Sequence, residues 1–217
     1  MGTGFLATEL DYTIRYGIFS SERRETRDTD DQEADVGRTS RDHWIEEGFR
    51  ILSEKGDGAL TVDALCARLD RSKGSFYHHF AGRDAFVEAL LGAWEKQVTD
   101  RLIATGRSDA AVEDRLRALN REASELRIAR LERAIRGWAA REPLARRVQD
   151  RVDRRRLAFL EELCAERMGP GEAAMRLARV LQLTFVGAQH LDPPLEGEEL
   201  YRTFRFLEPL FGMGGAA

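Results

Sequence analysis

The most informative segment of this chain reads Ser72-Lys73-Gly74-Ser75-Phe76-Tyr77-His78-His79-Phe80. Ser72 is suited to cap a helix, because its hydroxyl can accept a hydrogen bond from a free backbone N–H at the helix start. Phe76 and Phe80 are four residues apart, so they share one helical face that can anchor the helix. Gly74 lets the backbone approach a partner closely. The side chains that can donate hydrogen bonds to phosphates or base edges are Lys73, Ser75, Tyr77 and His78.

Together with its flanking residues, this segment resembles the helix-turn-helix of the TetR family of bacterial transcriptional regulators. The resemblance covers about residues 44–91 and is carried by TVDALCARLDRSKGSFYHHF at 61–80 and AGRDAF at 81–86. It implies an all-α fold with an N-terminal three-helix helix-turn-helix DNA-binding domain, followed by a larger helical ligand-binding and dimerisation domain. We expect the first domain at residues 39–85 and the second at 86–212.

The turn departs from the family pattern, which usually has Gly and then a small apolar residue where this chain has Asp70 and Arg71. Asp adopts the left-handed conformation at modest cost, so the turn can still form. Arg71 either weakens the packing of the turn or adds a contact to a phosphate.

The resemblance implies that residues around the predicted helix-turn-helix contact double-stranded DNA. Arg38 and Arg41 lie at the start of the first helix, where the family often contacts DNA backbone or minor groove, although a simply solvated arginine is an equal alternative. Arg83 takes the place of a phosphate-binding residue of the family. We expect His79 to face the protein. The candidate contacts are Arg38, Arg41, Thr61, Arg71, Ser72, Lys73, Gly74, Ser75, Tyr77, His78 and Arg83.

The overall charge does not indicate a nucleic-acid-binding protein, since the net charge is -4 and the isoelectric point is about 5.7. The local balance differs, because residues 61–83 carry more cations than anions. The cations are Arg68, Arg71, Lys73 and Arg83, and the anions are Asp63 and Asp70. Two copies of a small basic patch suffice for binding when they act together, because phosphate contacts dominate affinity.

Other classes of protein receive little support from the sequence. Cys66 and Cys164 are far apart and form no CxxC motif, which favours the reducing cytoplasm. We expect no enzyme activity, because no nucleophile, phosphate-loop or zinc-protease motif is present. We expect no metal or cofactor either, because His78 and His79 point about 100° apart on a helix and have no ligand-type residue four positions away.

Residues 1–38 are expected to be a disordered or non-native extension, because residues 22–35 are dense in charge and nearly free of apolar side chains. An arm that reaches DNA and a peptide that binds a partner are the alternatives. Val36 is a candidate for the natural start of the chain. No stretch predicts a membrane span, and the N-terminus does not look like a secretory signal.

Helical spacing of apolar residues predicts further helices after the recognition helix, at about 83–105, 110–121, 124–140, 143–168, 172–191 and 198–211. Glu132 and Arg136 form an i,i+4 pair that would orient a small molecule if it faced the interior. The candidate ligand pocket is Glu132, Arg136, Trp138, Phe159 and Phe185, with plain core packing as the alternative. The arginine-rich run 151–156 is expected to form a solvated, salt-bridged face, or else to supply ion pairs to a pocket or between domains.

The last two helices have broad apolar stripes that can pack on their copies in a second subunit as a four-helix bundle. The resemblance implies the same, although these stripes can also close the core of one chain. The candidate dimer contacts are Leu177, Leu181, Thr184, Phe185, Ala188, Leu200, Phe204, Leu207 and Phe211.

The function that the resemblance implies is a one-component regulator, usually a repressor, that binds a pseudo-palindromic operator as a homodimer. A small-molecule effector would release it from DNA. The alternative is a helical adaptor for protein interactions that has lost DNA binding.

Overall fold

The computed structural model describes residues 40–126 and 128–211. Within them the chain is helical and contains no strand, which confirms the predicted all-α fold. The α-helices, in chain order, are α1 (Arg41–Lys55), α2 (Val62–Leu69), α3 (Lys73–His79), α4 (Arg83–Trp94), α5 (Arg101–Thr105), α6 (Val112–Glu125), α7 (Ala129–Ala139), α8 (Pro143–Met168), α9 (Glu172–His190) and α10 (Glu198–Leu207). Short 3-10 turns occupy Asp57–Ala59 and Glu208–Phe211.

The chain divides into two compact units, Met1–Leu90 and Leu91–Ala217. The division falls inside α4, a little past the boundary that the sequence predicts at Ala85. The prediction for residues 1–38, and with it the place of Arg38, lies outside the described residues.

An aromatic cluster forms the centre of the first unit. Phe76 of α3 packs edge-on against Trp44 of α1, with ring centroids 5.5 Å apart, and against Phe86 of α4 at 5.6 Å. Phe80 contacts the same Phe86 ring at 5.1 Å. All four rings are almost completely buried. The predicted anchoring face of α3 is therefore what joins it to α1 and α4.

The second unit is built around α8, which packs against α7 and α9. Its buried side chains recur at three- and four-residue spacing along α8, as an amphipathic helix requires. The buried set of α8 includes Ala145, Val148, Val152, Phe159, Leu163 and Cys164. Pro143 at the first helical position favours the start of this helix, because the N–H that it lacks would have no partner there.

A π-helical segment interrupts the continuous helix predicted over 83–105. It spans Glu95–Asp100 and connects α4 to α5. Glu95 accepts hydrogen bonds from Arg151 and Arg155 of α8, and Asp100 accepts one from Arg155 at 2.8 Å. The spacing of apolar residues does not predict this segment. The side chains that accompany it are acidic residues paired with arginines of a helix distant in sequence.

The break between α6 and α7 also differs from the prediction, which placed it near residues 122–123. Both sides of the observed break are held by a segment distant in sequence. The Glu196 carboxylate accepts the N–H of Ala129 at 3.1 Å, and the N–H of Gly197 donates to the carbonyl of Ser124 at 2.7 Å. A cap supplied from so far along the chain leaves no local signal.

Most of the predicted dimer contacts are buried in the single chain, so they are not free to meet a second copy. The buried members are Leu177, Leu181, Phe185, Ala188, Leu200 and Phe204. Thr184 and Leu207 are half-buried, and the side chain of Phe211 lies outside the described part of the chain. The stripes close the core of this unit, as the alternative reading held, and the large apolar side chains that α9 and α10 expose are Met175, Leu183 and Phe206.

The helices of residues 40–126 and 128–211 include none with the length and apolar character needed to cross a membrane.

Gly48 in α1 is required by close packing. A Cβ atom added there would lie 2.8 Å from Cζ of Phe86 and 3.0 Å from Cδ1 of Leu90. We expect Gly48→Ala to destabilise the protein by about 1–2 kcal/mol, because overpacking outweighs the better helix propensity of Ala. Chemical denaturation measures this change.

The matched control is Gly137→Ala in α7, where an added Cβ meets nothing within 4 Å. It should stabilise the protein by about 0.5–1 kcal/mol through helix propensity alone. Equal effects of the two substitutions would contradict the packing argument.

Candidate nucleic-acid interface

The turn between α2 and α3 is set by two caps and one left-handed residue. Thr61 Oγ1 accepts the N–H of Ala64 at 3.1 Å and so caps α2. Ser72 Oγ accepts the N–H of Ser75 at 3.3 Å and caps α3 in the same way. Asp70 ends α2 with φ 51° and ψ 52°, the left-handed conformation that Gly or Asp accepts best. The departure of the sequence at Asp70 therefore leaves the turn intact.

The outer face of α3 is polar and exposed. Phe76 and Phe80 hold the opposite face in the core, while Tyr77 leaves 56% of its surface exposed. Ser75 and His79 are half-buried between these faces. The exposed candidates of this helix and its cap are Ser72, Lys73, Gly74, Tyr77 and His78.

Arg68 belongs to an ion-pair cluster inside the first unit and not to the outer basic patch. Its guanidinium donates to both oxygens of Glu54, at 2.7 and 3.2 Å, and also pairs with Glu47. Hydrogen bonding to Glu54 raises the pKa of Arg68, and the same bonding lowers the pKa of Glu54. The cations of residues 61–83 that lie outside this cluster are Arg71, Lys73 and Arg83.

Lys73 has an intramolecular partner at the start of α2. Its Nζ lies 2.7 Å from Oδ1 of Asp63, and both side chains are well exposed. Hydrogen bonding to Asp63 raises the pKa of Lys73, so its charge is maintained and at the same time partly compensated. A phosphate that binds Lys73 must therefore compete with the Asp63 carboxylate.

The other candidate cations lie around α3. The Arg41 guanidinium stacks over the Phe80 ring, 5.2 Å from its centroid. Arg71 donates to the carbonyl of Asp70 at 2.9 Å, and an Nη1 of Arg83 lies 4.0 Å from the neighbouring carboxylate of Asp84. All three arginines are exposed.

The second unit contains a cavity of about 50 Å³. Phe159 and Phe185 line it, as the sequence analysis proposed, and Arg156 also lines it, which agrees with the alternative that residues 151–156 supply ion pairs to a pocket. The predicted Glu132–Arg136 pair is replaced by pairs with α8. Glu132 is fully buried and bonds to Arg156, while Arg136 bonds to Asp153 at 2.7 Å.

Trp138 is packed in the core. Arg156 departs from the solvated face predicted for residues 151–156, because only 7% of its surface is exposed. Arg156 lies four residues after Val152 and three before Phe159, so the spacing of the buried face of α8 is the signal that distinguishes it from the neighbouring arginines.

The two cysteines are buried, and their environment does not favour the reactive thiolate. Burial raises the pKa of Cys164 to about 11 and also raises the pKa of Cys66. Both thiols are therefore protonated at neutral pH, and the thiolate is the reactive form. In the part of the chain that the structure describes, no three His, Cys, Asp or Glu side chains gather as a metal site would require.

The helix α2, the turn with left-handed Asp70 and the outward-facing α3 have the arrangement of a helix-turn-helix. Residues 45–90 match the family of bacterial regulatory proteins, tetR family. A 72-residue stretch is 32% identical to the HTH-type transcriptional repressor DhaR of Mycobacterium sp. (strain GP1). The match spans 33% of this chain and 36% of that relative, about a third of its length.

Solved structures share the fold of the whole helical region. E. coli NemR in its reduced form aligns with a TM-score of 0.67 at 20% identity, over 81% of this chain and 99% of that chain. A putative TetR-family transcriptional regulator from Rhodococcus sp. aligns with a TM-score of 0.65 at 18% identity, over 80% and 98% of the two chains. The match over residues 45–90 confirms the resemblance of the helix-turn-helix to the TetR family.

The left-handed backbone at Asp70 generates a prediction about the turn. We expect Asp70→Val to destabilise the protein by about 1–2 kcal/mol, because a β-branched side chain is strained at positive φ. Asp70→Asn is the control and should leave stability within about 0.5 kcal/mol of the starting protein, since Asn tolerates this conformation. Thermal and chemical unfolding measure both, and a harmless valine would show that Asp70 does not constrain the turn.

Proposed function

We propose that this protein is a one-component transcriptional regulator that binds a pseudo-palindromic DNA operator as a homodimer. The observation that carries the proposal is α3, a short helix anchored by buried phenylalanines on one side and presenting polar and aromatic groups on the other. In helix-turn-helix proteins this second helix enters the major groove. The family relationship supports the same reading.

The candidate contacts divide into two kinds by their chemistry. Groups of α3 that can reach base edges are Gly74, Ser75, Tyr77 and His78. Groups that suit phosphates are Arg41, Thr61, Arg71, Ser72, Lys73 and Arg83. Phosphate contacts fix the position of the helix, whereas base contacts give sequence preference.

We further propose that the exposed apolar side chains of α9 and α10 form the dimer contact. Leu183 exposes 64% of its surface and Phe206 exposes 74%, on two helices that pack against each other. Large exposed apolar side chains on neighbouring helices can belong to an interface. A second copy of the chain suits this surface, because operator binding with two recognition helices requires a dimer.

The name of the DhaR relative supports repression, and we propose that a small-molecule effector releases the protein from DNA in the cytoplasm. The effector would bind the conformation that cannot bind DNA better than the one that can, which shifts the population away from DNA binding.

The direct test is a fluorescence-anisotropy titration with the DNA upstream of the protein's own gene. Binding no tighter than to scrambled DNA of the same length would reject the regulator and favour the adaptor.

The phosphate role of Lys73 has its own test. Lys73→Ala should weaken binding to operator and to scrambled DNA alike, because a phosphate contact carries no sequence information. The slope of log affinity against log salt should fall by about 2 in magnitude, since each subunit of the dimer loses about one phosphate contact. Lys55→Ala, which removes an exposed lysine from the end of α1, is the control. An unchanged slope would remove Lys73 from the interface.

The Lys73–Asp63 pair sharpens this test. Asp63→Asn should tighten DNA binding several-fold, because the phosphate no longer competes with a carboxylate for Lys73. The gain should disappear when Asp63→Asn is combined with Lys73→Ala. Glu88→Gln removes one negative charge at another exposed position of the first unit, so it controls for the general electrostatic effect of that loss. A gain that survives the loss of Lys73 would show that the pair is not responsible.

The dimer proposal predicts the effect of placing a charge on the apolar surface. Leu183→Glu and Phe206→Glu should each convert the dimer to a monomer, because a buried and unpaired carboxylate is costly. Light scattering after size exclusion measures the mass, and circular dichroism checks the helical fold. Ala104→Glu, at an exposed position of α5, is the control and should stay dimeric. A dimer that resists both substitutions uses another surface.

A further inference from the structure

The cavity of the second unit, which we term the Arg156 cavity, is apolar except for a few groups. Its lining includes Arg156, Leu102, Phe159, Leu181, Phe185 and Phe204. The aromatic and aliphatic side chains give it the character of a site for an apolar molecule. Arg156 is the charged group among its lining residues.

The charge of Arg156 is already compensated inside the protein. Its Nη2 donates to Oε1 of Glu132 at 2.9 Å and its Nη1 to Oε2 at 3.2 Å. Glu132 is 0% exposed and Arg156 is 7% exposed, so this ion pair is shielded from water. The Trp94 indole N–H donates to the same carboxylate at 3.0 Å, and the Nε of Arg156 donates to Thr99 Oγ1 at 3.0 Å.

The compensated pair determines which charges the cavity tolerates. An anion next to Arg156 would compete with Glu132 and leave one buried negative charge unbalanced. A cation would lie against a guanidinium whose partner is already engaged. An uncompensated buried charge is strongly unfavourable, so both kinds of ion are disfavoured relative to a neutral molecule.

The Arg156 guanidinium has N–H groups beyond those that bond to Glu132 and Thr99. A guanidinium has five N–H groups, and the bonds to Glu132 and Thr99 account for three of them, one on each nitrogen. One N–H on each Nη therefore remains beyond these bonds, and Arg156 lines the cavity. An oxygen that only accepts hydrogen bonds suits such a donor.

We propose that the Arg156 cavity binds a small, neutral, largely apolar molecule that carries one hydrogen-bond-accepting oxygen, such as a ketone, an ester or an ether. This proposal names the chemical class of the effector and in that respect rests on the function proposed above. The site itself is argued from the cavity, the ion pair and the remaining N–H groups of Arg156, and its test needs no DNA.

The size of the cavity limits the ligand further. Its volume of about 50 Å³ is smaller than the cavity of about 150 Å³ that admits benzene in an engineered protein. A slim chain enters such a space with smaller movements of the walls than a ring does. Leu and Phe side chains change rotamer to admit it, and an added ligand therefore enlarges the site.

The test is a titration of methyl-labelled protein, followed by the NMR signals of Leu102 and Leu181. The probes are 2-pentanone, pentanoate, pentylammonium and n-pentane, which share length but differ in charge and in the acceptor oxygen. We expect saturable shifts of both leucines with 2-pentanone and none with either ion. Pentane should bind roughly tenfold more weakly than 2-pentanone, because it cannot accept from a charged donor. Pentanoate or pentylammonium binding as tightly as the ketone would overturn the proposal, as would the absence of any shift with the ketone.

Two variants assign the binding to this cavity. Ala123 lines it, so Ala123→Leu should fill it and remove the response to 2-pentanone, with the helical circular dichroism retained. Ala104→Leu adds the same atoms at an exposed position of α5 and should leave the response unchanged. Undiminished binding by Ala123→Leu would place the ligand elsewhere and reject the site.

Arg156→Lys tests the donor separately from the space. It keeps the positive charge for Glu132 but loses the planar fork, so 2-pentanone should weaken while pentane is unchanged. Equal weakening of both probes would show that Arg156 contributes packing and not a hydrogen bond, against the proposal.

Ketone binding without any DNA binding would reject the regulator and keep the site. DNA binding without ketone binding would reject the ligand site and keep the regulator.

Discussion

The packing of Phe76 is the contact on which the helix-turn-helix of the first unit depends. Its ring lies between Trp44 of α1 and Phe86 of α4, in a helix of only seven residues. A helix this short is not stable by itself, because nucleation costs more than a few backbone hydrogen bonds return. Burial of one aromatic face therefore has to hold α3 in place. Since residues adjacent on a helix point in different directions, the same anchoring presents Tyr77 and His78 outward.

Several cations around α3 are paired with carboxylates of the same chain, so the positive charge of this surface is only moderate. Arg68 is committed to Glu47 and Glu54, and Lys73 is shared with Asp63. On a chain of net charge -4, these internal pairs limit nonspecific attraction to DNA. In the proposed function, discrimination would then rely more on base-edge contacts by α3 and on two copies acting together. Such a limit would suit the proposed release by an effector, because a modest coupling energy would suffice to dissociate the protein from its operator.

The parts that the sequence predicts well are those whose causes are local. The cap at Ser72, the spacing of Phe76 and Phe80 and the left-handed Asp70 each depend on residues within a few positions. The parts it misses depend on distant partners. Glu196 caps α7 from 67 residues away, and Glu132 bonds to Arg156 of α8 and not to Arg136, its neighbour on α7. The apolar stripes of α9 and α10 show the same limit, because periodicity identifies a face but not whether the same chain or a second copy covers it.

The buried Glu132–Arg156 pair adds a further step to this reasoning. Such pairs contribute little net stability, because desolvation offsets their attraction, and well-packed apolar residues often replace them without loss. Here the pair draws in Trp94 and Thr99, and Thr99 belongs to the π-helical segment Glu95–Asp100. π-helical turns carry a conformational cost and occur often at functional sites. The proposed ligand site would explain why a costly backbone segment and a costly ion pair meet at Arg156, which lines the cavity.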